Sequence, residues 1–309
     1  MEPSVSAVIN AYNEEETISE CVLSVKNQSV KPLEIIVVDD GSTDGTAEFA
    51  ERAGAKVFRI NHTGRGRARN IGWKKAKGKI VAYIDADMVV NRDWIKEILK
   101  KFDAGADAVI DRIHVWKPDN AYTKSLDAFY SFRIENDYVP FSAWAYKKDL
   151  LKKIGGFKNV SIEEGELGKR FLKAGYKIVL AEKAARYHKG PPRSFFSTVK
   201  RNYLTGKNEA LGIYKNHSET FPKKTVAAYI AFISTEFVSI AAAFFNPLFL
   251  IWIPVSIALL YFALVVKFVF INKAIGKVSF ANCFLIGLAS LIRALVWPAG
   301  IIAGYLVKE

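Results

Sequence analysis

Two pairs of acidic residues each follow an apolar segment that is typical of a β-strand. Asp39 and Asp40 follow the first segment, and Asp85 and Asp87 follow the second, separated by Ala86. Because alternate residues of a strand point the same way, the carboxylates of Asp85 and Asp87 can converge on one divalent cation. Such a cation could bridge the phosphates of a nucleotide and neutralise a departing one. Each pair alone is also compatible with a surface turn or a helix cap.

The segments around these acidic residues alternate between strand and helix patterns. Predicted strands cover residues 4–10, 33–38, 56–60, 80–84, 108–115 and 178–180. Predicted helices cover residues 14–26, 46–53, 67–76, 93–102 and 163–174, and a further helix ends at Gly155. Repeated strand–helix–strand units predict an α/β fold with a mostly parallel sheet, whose ligands lie at the carboxyl ends of the strands. The aromatic segment 122–144 fits neither period.

Six short motifs extend this pattern, and their order along the chain is characteristic of one enzyme family. They are AYNEEE (11–16), VVDDGSTDGT (37–46), GRGRARNIG (64–72), YIDADMVV (83–90), KKIGGF (152–157) and IEEGELGKRFLKAGYKI (162–178). Over residues 4–190 the chain resembles glycosyltransferase family 2. The resemblance implies a GT-A fold, which is Rossmann-like, and a nucleotide-sugar-binding catalytic domain over residues 1–190. It also implies inverting transfer of a sugar from a nucleoside diphosphate donor, with Mg²⁺ or Mn²⁺.

The resemblance assigns donor-binding roles residue by residue. Ala11, Tyr12 and Glu14 would line the nucleotide, and Asp39 and Asp40 would lie near the base. The guanidinium groups of Arg65, Arg67 and Arg69 are permanently charged and could approach the diphosphate. One or two of these arginines could equally serve the fold.

The resemblance also suggests metal ligands and a base. Asp85 would face the ribose or sugar, Asp87 would bind the metal with help from Asp85, and His188 could join the metal or the leaving phosphate. Glu163 and Glu164 replace the family's Glu-Asp pair, so Glu164 is the expected general base. Glu is one methylene longer than Asp, and an anionic lipid phosphate acceptor would need no base. A capped, exposed helix start is the alternative for this glutamate pair.

The composition divides the chain into a polar part and an apolar part. The whole chain has 309 residues and a net charge of +13, but residues 225–309 contain only five basic and two acidic residues. Three apolar stretches, 226–245, 248–271 and 280–307, reach the ~20 residues that a membrane-spanning helix needs. We therefore expect about three transmembrane helices, with the first two alternatively forming a re-entrant hairpin. Lysines flanking these stretches indicate a cytoplasmic catalytic domain under the positive-inside rule.

A basic segment, residues 191–224, separates these two parts. Between residues 183 and 224 the chain has ten basic and two acidic residues, interleaved with aromatic and aliphatic ones. This composition is typical of an amphipathic segment on an anionic membrane surface, and it favours lipid over nucleic acid as the partner. Lys200 and Arg201 in this segment could hold phosphates of the donor or of a lipid. The segment lacks the Gln-x-x-Arg-Trp pattern of processive polysaccharide synthases, which favours transfer of one sugar per encounter.

These observations predict a membrane-anchored inverting glycosyltransferase on the cytoplasmic face of the cell membrane. Its partners would be a nucleoside diphosphate sugar and a lipid-borne acceptor, either a polyprenyl phosphate or a lipid-linked saccharide. The alternative is a non-catalytic membrane scaffold that retains a nucleotide-sugar site. The two cysteines, Cys21 and Cys283, match neither a disulfide framework nor a metal site.

Overall fold

A computed structural model describes residues 4–119, 144–158 and 163–189, together with residues 123, 124, 127, 130, 200, 203, 246, 248, 251–260 and 262. The chain divides into two compact units. The first contains residues 1–117 and 133–191, and the second contains residues 118–132 and 192–309. All of the helices and strands that carry predicted catalytic residues belong to the first unit.

The first unit alternates strands and helices along most of its length. Its strands are β1 (Val5–Ala11), β2 (Glu34–Asp39), β3 (Lys56–Arg59), β4 (Ile80–Asp85), β5 (Met88–Val90), β6 (Ala108–Val115), β7 (Ala145–Lys147) and β8 (Ile178–His188). Its helices are α1 (Ile18–Lys26), α2 (Thr46–Ala53), α3 (Arg65–Lys75), α4 (Trp94–Asp103), α5 (Lys148–Ile154) and α6 (Glu163–Lys173). The predicted α/β class is confirmed.

The strands form one sheet in the order β3-β2-β1-β4-β7-β6-β8-β5. The first four strands in this order are parallel, as repeated strand–helix–strand units require. Strand β7 is antiparallel to both β4 and β6, and β5 is antiparallel to β8, whereas β6 and β8 are parallel. The sheet of the described residues is therefore mostly parallel, as predicted, with six of its eight strands running in one direction. The two short strands β5 and β7 run in the other direction and make it mixed.

Helices cover both faces of this sheet and bury its apolar side chains. On one face, α1, α2 and α4 pack against alternate residues of the central strands, such as Ile9 of β1. On the other face, α3, α5 and α6 pack against the intervening residues, such as Val8. Because successive strand residues point to opposite faces, β1 contributes to both cores. Because β1, β2 and β4 are neighbouring parallel strands, the polar residues that end them lie together at the carboxyl end of the sheet.

Strand β8 is longer than the sequence predicted, and its last residues are fixed by two neighbours. The predicted strand 178–180 extends to His188 because β8 continues to pair with β6 beyond a bulge at Asp111 and Arg112. Beyond that bulge β8 also pairs with β5, with Met88 opposite His188 and Val90 opposite Arg186. This pairing stabilises a segment whose own composition is too polar to indicate a strand. It also fixes His188 at the end of β8.

The predicted membrane spans lie mostly outside the described residues. Within the part of the chain that the structure describes, no helix is both long and apolar enough to cross a membrane. Residues 226–245 and 280–307 fall wholly outside that part, half of 248–271 falls outside it, and 191–224 falls almost wholly outside it. Residues 252–260 are helical, and Leu248, Trp252 and Leu259 nearby are exposed. The three spans and the interfacial segment stay predictions.

Candidate active site

A buried arginine gathers three carboxylates at the carboxyl end of β4. Arg69, on the second turn of α3, donates from Nη1 to Glu163 Oε1 at 2.8 Å and to Glu164 Oε2 at 3.2 Å. Its Nη2 donates to Asp85 Oδ1 at 3.1 Å. These contacts join residues that are 16 to 95 positions apart in the sequence. The planar guanidinium suits this arrangement because its N–H groups point in fixed, divergent directions.

Burial makes this cluster electrostatically unusual. The side chain of Glu163 is fully buried, whereas those of Glu164 and Asp85 are 21% and 30% exposed. Burial raises the pKa of Glu163 to about 7, although the charge of Arg69 opposes the rise. Burial also acts to raise the pKa of Asp85, but attraction to Arg69 and to more distant arginines outweighs it and lowers that pKa. Near neutral pH the cluster can therefore hold an exchangeable proton on Glu163 beside the ionised Asp85.

Aromatic rings enclose the guanidinium of Arg69. Its Cζ lies 4.8 Å from the centre of the Trp144 ring and 5.6 Å from that of Phe157. A second buried arginine, Arg186 of β8, lies 3.8 Å from the same Trp144 ring. Arg186 donates from Nε to both carboxylate oxygens of Asp111, at 2.9 and 2.7 Å. Trp144 thus lies between two paired arginines, which holds both side chains in place and excludes water from them.

The position of α3, and so of Arg69, depends on a close approach to β1. A Cβ on Gly72 would come within 2.3 Å of Val8 Cγ1, so only glycine permits this helix–strand distance. Two residues earlier on α3, Asn70 donates to the carbonyl of Phe157 at 2.7 Å and accepts from its N–H at 2.9 Å. These bonds tie the GRGRARNIG motif to the KKIGGF motif. Both motifs therefore serve to position Arg69 and the Phe157 ring that packs against it.

A carboxylate and an imidazole meet beside this cluster. Asp87 Oδ2 lies 3.3 Å from His188 Nε2, and the N–H of Lys189 donates to the carbonyl of Asp87 at 2.9 Å. The pair results from the register of β5 and β8, in which Met88 lies opposite His188. Asp87 keeps a quarter of its side chain exposed, while His188 is buried. One carboxylate oxygen and one imidazole nitrogen are suitable ligands for a divalent cation.

The predicted three-residue metal set is only partly brought together. Asp85 directs Oδ1 to Arg69, whereas Asp87 and His188 face each other. Over the described residues, no group of three or more His, Cys, Asp or Glu side chains is arranged to hold a metal. Two protein ligands fit a Mg²⁺ or Mn²⁺ that takes its other ligands from phosphates and water, because Mg²⁺ usually binds that way in nucleotide sites.

The loops after β1 and β2 bind each other and expose an aromatic side chain. The N–H of Asn13 donates to Ser42 Oγ at 2.9 Å, and the N–H of Glu14 donates to Thr46 Oγ1 at 2.7 Å. Tyr12, beside them, is 46% exposed. Its ring lies 4.4 Å from that of His62, tilted by 39°. An exposed aromatic face at this edge of the sheet can stack on a nucleotide base.

Asp39 and Asp40 are buried, and both carboxylates accept local hydrogen bonds. Asp39 accepts from the N–H of Ser42 at 3.1 Å. Asp40 accepts from the N–H groups of Thr63 and Gly64 at 2.7 and 3.0 Å, immediately before α3 begins. These two aspartates therefore shape the turns around the expected base site. Their predicted contact with the base stays a prediction.

The other predicted donor residues occupy different positions. Arg65 lies one helical turn before Arg69 and is 3.5 Å from Glu163 Oε1, with two thirds of its side chain exposed. Arg67 is exposed on another face of α3, because residues two apart on a helix do not share a face. Ala11 is buried at the end of β1, and Glu14 is half-buried behind it with its pKa raised by burial. Lys200 is exposed in the second unit, and Arg201 lies outside the described residues.

The structure adds site residues that the sequence patterns did not single out. Trp144 and His62 both lie in segments without a recognised motif, and Arg186 lies two residues before His188. The even spacing of Arg186 and His188 along a strand could have indicated a shared face, but that strand was not predicted to extend so far. No sequence signal marked Trp144, because its contacts are with residues 42 and 75 positions away.

Comparison with known proteins agrees with this geometry. Residues 6–158 match the family described as glycosyl transferase family 2. Glycosyltransferase AglE of Haloferax volcanii is 26% identical over 224 residues, which cover 67% of this chain and 73% of AglE. The putative glycosyltransferase EpsH of Bacillus subtilis is 34% identical over 113 residues, so the match covers 35% of this chain and only 33% of EpsH.

A solved structure supports the fold. Glucosyl-3-phosphoglycerate synthase from Mycobacterium tuberculosis, crystallised with Mn²⁺, UDP and glucosyl-3-phosphoglycerate, aligns with a TM-score of 0.51 at 22% identity. The alignment covers 69% of this chain and 79% of that chain. At this identity the likeness supports a GT-A-like sheet fold and no finer property. Together with the family match, these findings assign residues 6–158 to glycosyltransferase family 2 and identify the chain as a glycosyltransferase.

Proposed function

We propose that the chain is a membrane-anchored, metal-dependent, inverting glycosyltransferase. It transfers one sugar from a nucleoside diphosphate sugar to a lipid-borne acceptor, either a polyprenyl phosphate or a lipid-linked saccharide. The observation that carries the proposal is the convergence of Arg69, its three carboxylates and the Asp87–His188 pair at the carboxyl end of β4. In open α/β sheets, nucleotide ligands bind at the carboxyl ends of the strands.

Each part of the proposed donor site has a chemical role. The exposed ring of Tyr12 stacks on the base. Asp87 and His188 would hold a Mg²⁺ or Mn²⁺ ion, which would supply positive charge to the diphosphate leaving group. Arg65 and Arg67, at the start of α3, bring further positive charge to the diphosphate. Arg69 instead orients Asp85 toward the ribose or sugar, since both of its terminal nitrogens, Nη1 and Nη2, already donate to carboxylates.

The two glutamates of α6 have different roles in this proposal. Glu164 keeps a fifth of its side chain exposed, so its carboxylate can accept a proton from an acceptor hydroxyl. Glu163 is fully buried and holds Arg69 in position. An acceptor that is already an anionic phosphate would not need a base, and Glu164 would then orient it. Positioning and electrostatic stabilisation supply most of the acceleration in either case.

Membrane anchoring and the lipid acceptor rest on the sequence. The apolar stretches 226–245, 248–271 and 280–307 and the basic segment 191–224 support an anchored enzyme with its catalytic domain on the cytoplasmic face. The alternative, a scaffold that binds a nucleotide sugar without turnover, predicts donor binding but no product.

A donor screen with a metal-site variant tests the proposal. The full chain in detergent is mixed with UDP, GDP, CDP or dTDP sugars, with and without Mn²⁺. Thermal stability and sugar transfer to a polyprenyl phosphate are measured. We expect one donor to raise the unfolding temperature only with Mn²⁺, because ligands that bind the native state stabilise it. Asp87→Asn should abolish that shift and the turnover, whereas the exposed control Asp103→Asn should keep both. A metal-dependent shift that survives in Asp87→Asn would refute the metal site, and binding without transfer would support the scaffold.

A further inference from the structure

A cavity lies beside the start of the central strand β4, at the opposite end of the strand from the candidate active site. Its volume is about 640 Å³, within the ~300–1,000 Å³ range of small-molecule sites. It is formed around Ile80, the first residue of β4, and Lys147, the last residue of β7, which are paired in the sheet. The catalytic carboxylates follow the other end of β4. This cavity is therefore separate from the site of glycosyl transfer, and the first unit contains all of its lining residues.

Positive charge surrounds this cavity. The lining includes five lysines, Lys77, Lys79, Lys147, Lys148 and Lys152, and a single acidic residue, Asp149. Two of the lysines have partners: Lys147 Nζ lies 2.8 Å from Asp107 Oδ1, and Lys148 Nζ donates to the carbonyl of Ala76. The other three are exposed, and none of them forms an ion pair with another residue in the described ranges. Three ammonium groups are thus available to an anion.

The floor of the cavity is apolar. It consists of Trp73 near the end of α3, Phe102 near the end of α4, and Ile80 between them. The indole N–H of Trp73 already donates to Asn70 Oδ1 at 2.9 Å, so the ring presents carbon surface to the cavity. An apolar floor surrounded by lysines binds a ligand with a hydrocarbon part and an anionic head, because each part finds its complement. A free nucleotide would leave its polar base edges against this floor without partners.

We propose that this cavity binds an anionic phospholipid, with an acyl chain on the floor of Trp73, Ile80 and Phe102 and the phosphate among Lys77, Lys79 and Lys152. The proposal does not depend on glycosyl transfer, since the donor site is at the other end of the strands. Such a site would hold the first unit against an anionic bilayer through a discrete lipid rather than through diffuse charge alone.

Photolabelling of the full chain tests this proposal directly. The protein is reconstituted in phosphatidylcholine bilayers that contain a small fraction of phosphatidylglycerol with a diazirine in one acyl chain. After irradiation, labelled peptides are mapped by mass spectrometry. We expect labelling in peptides that contain Trp73 to Ile80 and Phe102, and none there when the diazirine is carried by phosphatidylcholine. Labelling within residues 226–307 serves as an internal measure of lipid exposure.

A charge variant with a matched control completes the test. The variant K77Q/K79Q/K152Q replaces exposed lysines, and the control K96Q/K173Q/K183Q changes the same net charge at exposed positions outside the cavity. The three cavity lysines should together contribute on the order of a hundredfold in affinity for an anionic headgroup. Labelling of the cavity should therefore fall at least tenfold in the first variant and stay unchanged in the second.

Four outcomes would overturn the proposal. The first is absence of label at the cavity while residues 226–307 are labelled. The second is equal labelling by phosphatidylcholine and phosphatidylglycerol, which would mean that the headgroup is not recognised. The third is an equal loss of label in both triple variants, which would indicate a nonspecific effect of net charge. Competition by millimolar inorganic phosphate would identify a site for the free anion and would also overturn a lipid site.

Discussion

Replacing Glu163 by Gln should remove a pH dependence that this buried carboxyl imposes on stability. Burial raises its pKa from an ordinary 4.5 to about 7, despite the neighbouring Arg69. Between these two values the unfolded chain has released the proton while the folded chain still holds it. The free energy of unfolding must therefore fall as the pH rises through this interval. Below pH 4.5 the penalty is absent, and above pH 7 it is complete.

The size of this effect follows from the shift. One pKa unit corresponds to 1.36 kcal/mol, so the wild-type chain should lose about 3 kcal/mol between pH 4.5 and 8 through Glu163. Gln resembles the protonated carboxyl and does not titrate. The stability of Glu163→Gln relative to the wild type should therefore improve by about 3 kcal/mol over that interval. For a unit of this size the change corresponds to roughly 6–12 °C in unfolding temperature.

The assay is thermal unfolding of the full chain in detergent, followed by tryptophan fluorescence, at several pH values from 4.5 to 8. Glu166→Gln is the control on the same helix. Burial opposes ionisation of Glu166, but hydrogen bonds from Arg170 and Lys158 lower its pKa, so its contribution is lost only as the pH falls below about 4.5. The difference in unfolding temperature between Glu166→Gln and the wild type should stay constant from pH 5 to 8. If the unfolding temperatures of Glu163→Gln and the wild type change in parallel with pH, the raised pKa of Glu163 is refuted.

Two further predictions concern the elements that hold this cluster. Arg69→Lys should lower the free energy of unfolding by about 1–3 kcal/mol at pH 8 and by less at pH 5, because one ammonium cannot pair three carboxylates and Glu163 is protonated at low pH. Equal losses at both pH values in thermal unfolding would contradict this reasoning. Gly72→Ala should cost about 1–3 kcal/mol, because the new methyl group meets Val8 Cγ1. In a double-mutant cycle, Val8→Ala should recover part of that loss, whereas additive effects would show that the contact does not limit the helix position.

The sequence correctly predicted those helices and strands whose own residues have a clear preference for that secondary structure. Helix Thr46–Ala53 and strand Ala108–Val115 have the predicted bounds, because a terminal glycine ends the first and β-branched residues make up half of the second. Strands β5 and β7 have three residues each, too few to show a period. The end of β8 is polar and depends on pairing with β5 and β6. These strands require tertiary contacts that single-sequence patterns do not contain.

The candidate site shows the same contrast between features set by local sequence and features set by tertiary contacts. Residue type and position after a strand indicated Asp85 and Asp87, and helix phase alone could have separated the buried Arg69 from the exposed Arg67. No local pattern indicated that Arg69 would bind Glu163, 94 positions away, or that Trp144 would lie between two arginines. Such contacts arise from the packing of α3 and α6 on one face of the sheet. The sequence could therefore predict the chemistry of the site but not the arrangement of its buried side chains.

The bulge between β6 and β8 divides β8 into two parts that differ in their tolerance of insertions and deletions. Residues 182–184 fall between the paired positions Ala181 and Ala185, so a change of length there alters the bulge and leaves both ladders in register. One residue inserted between Arg186 and His188 would instead turn the imidazole to the opposite face of the sheet, away from Asp87. Natural length variation in this strand should therefore concentrate at residues 182–184, while the four residues that end it keep a fixed spacing.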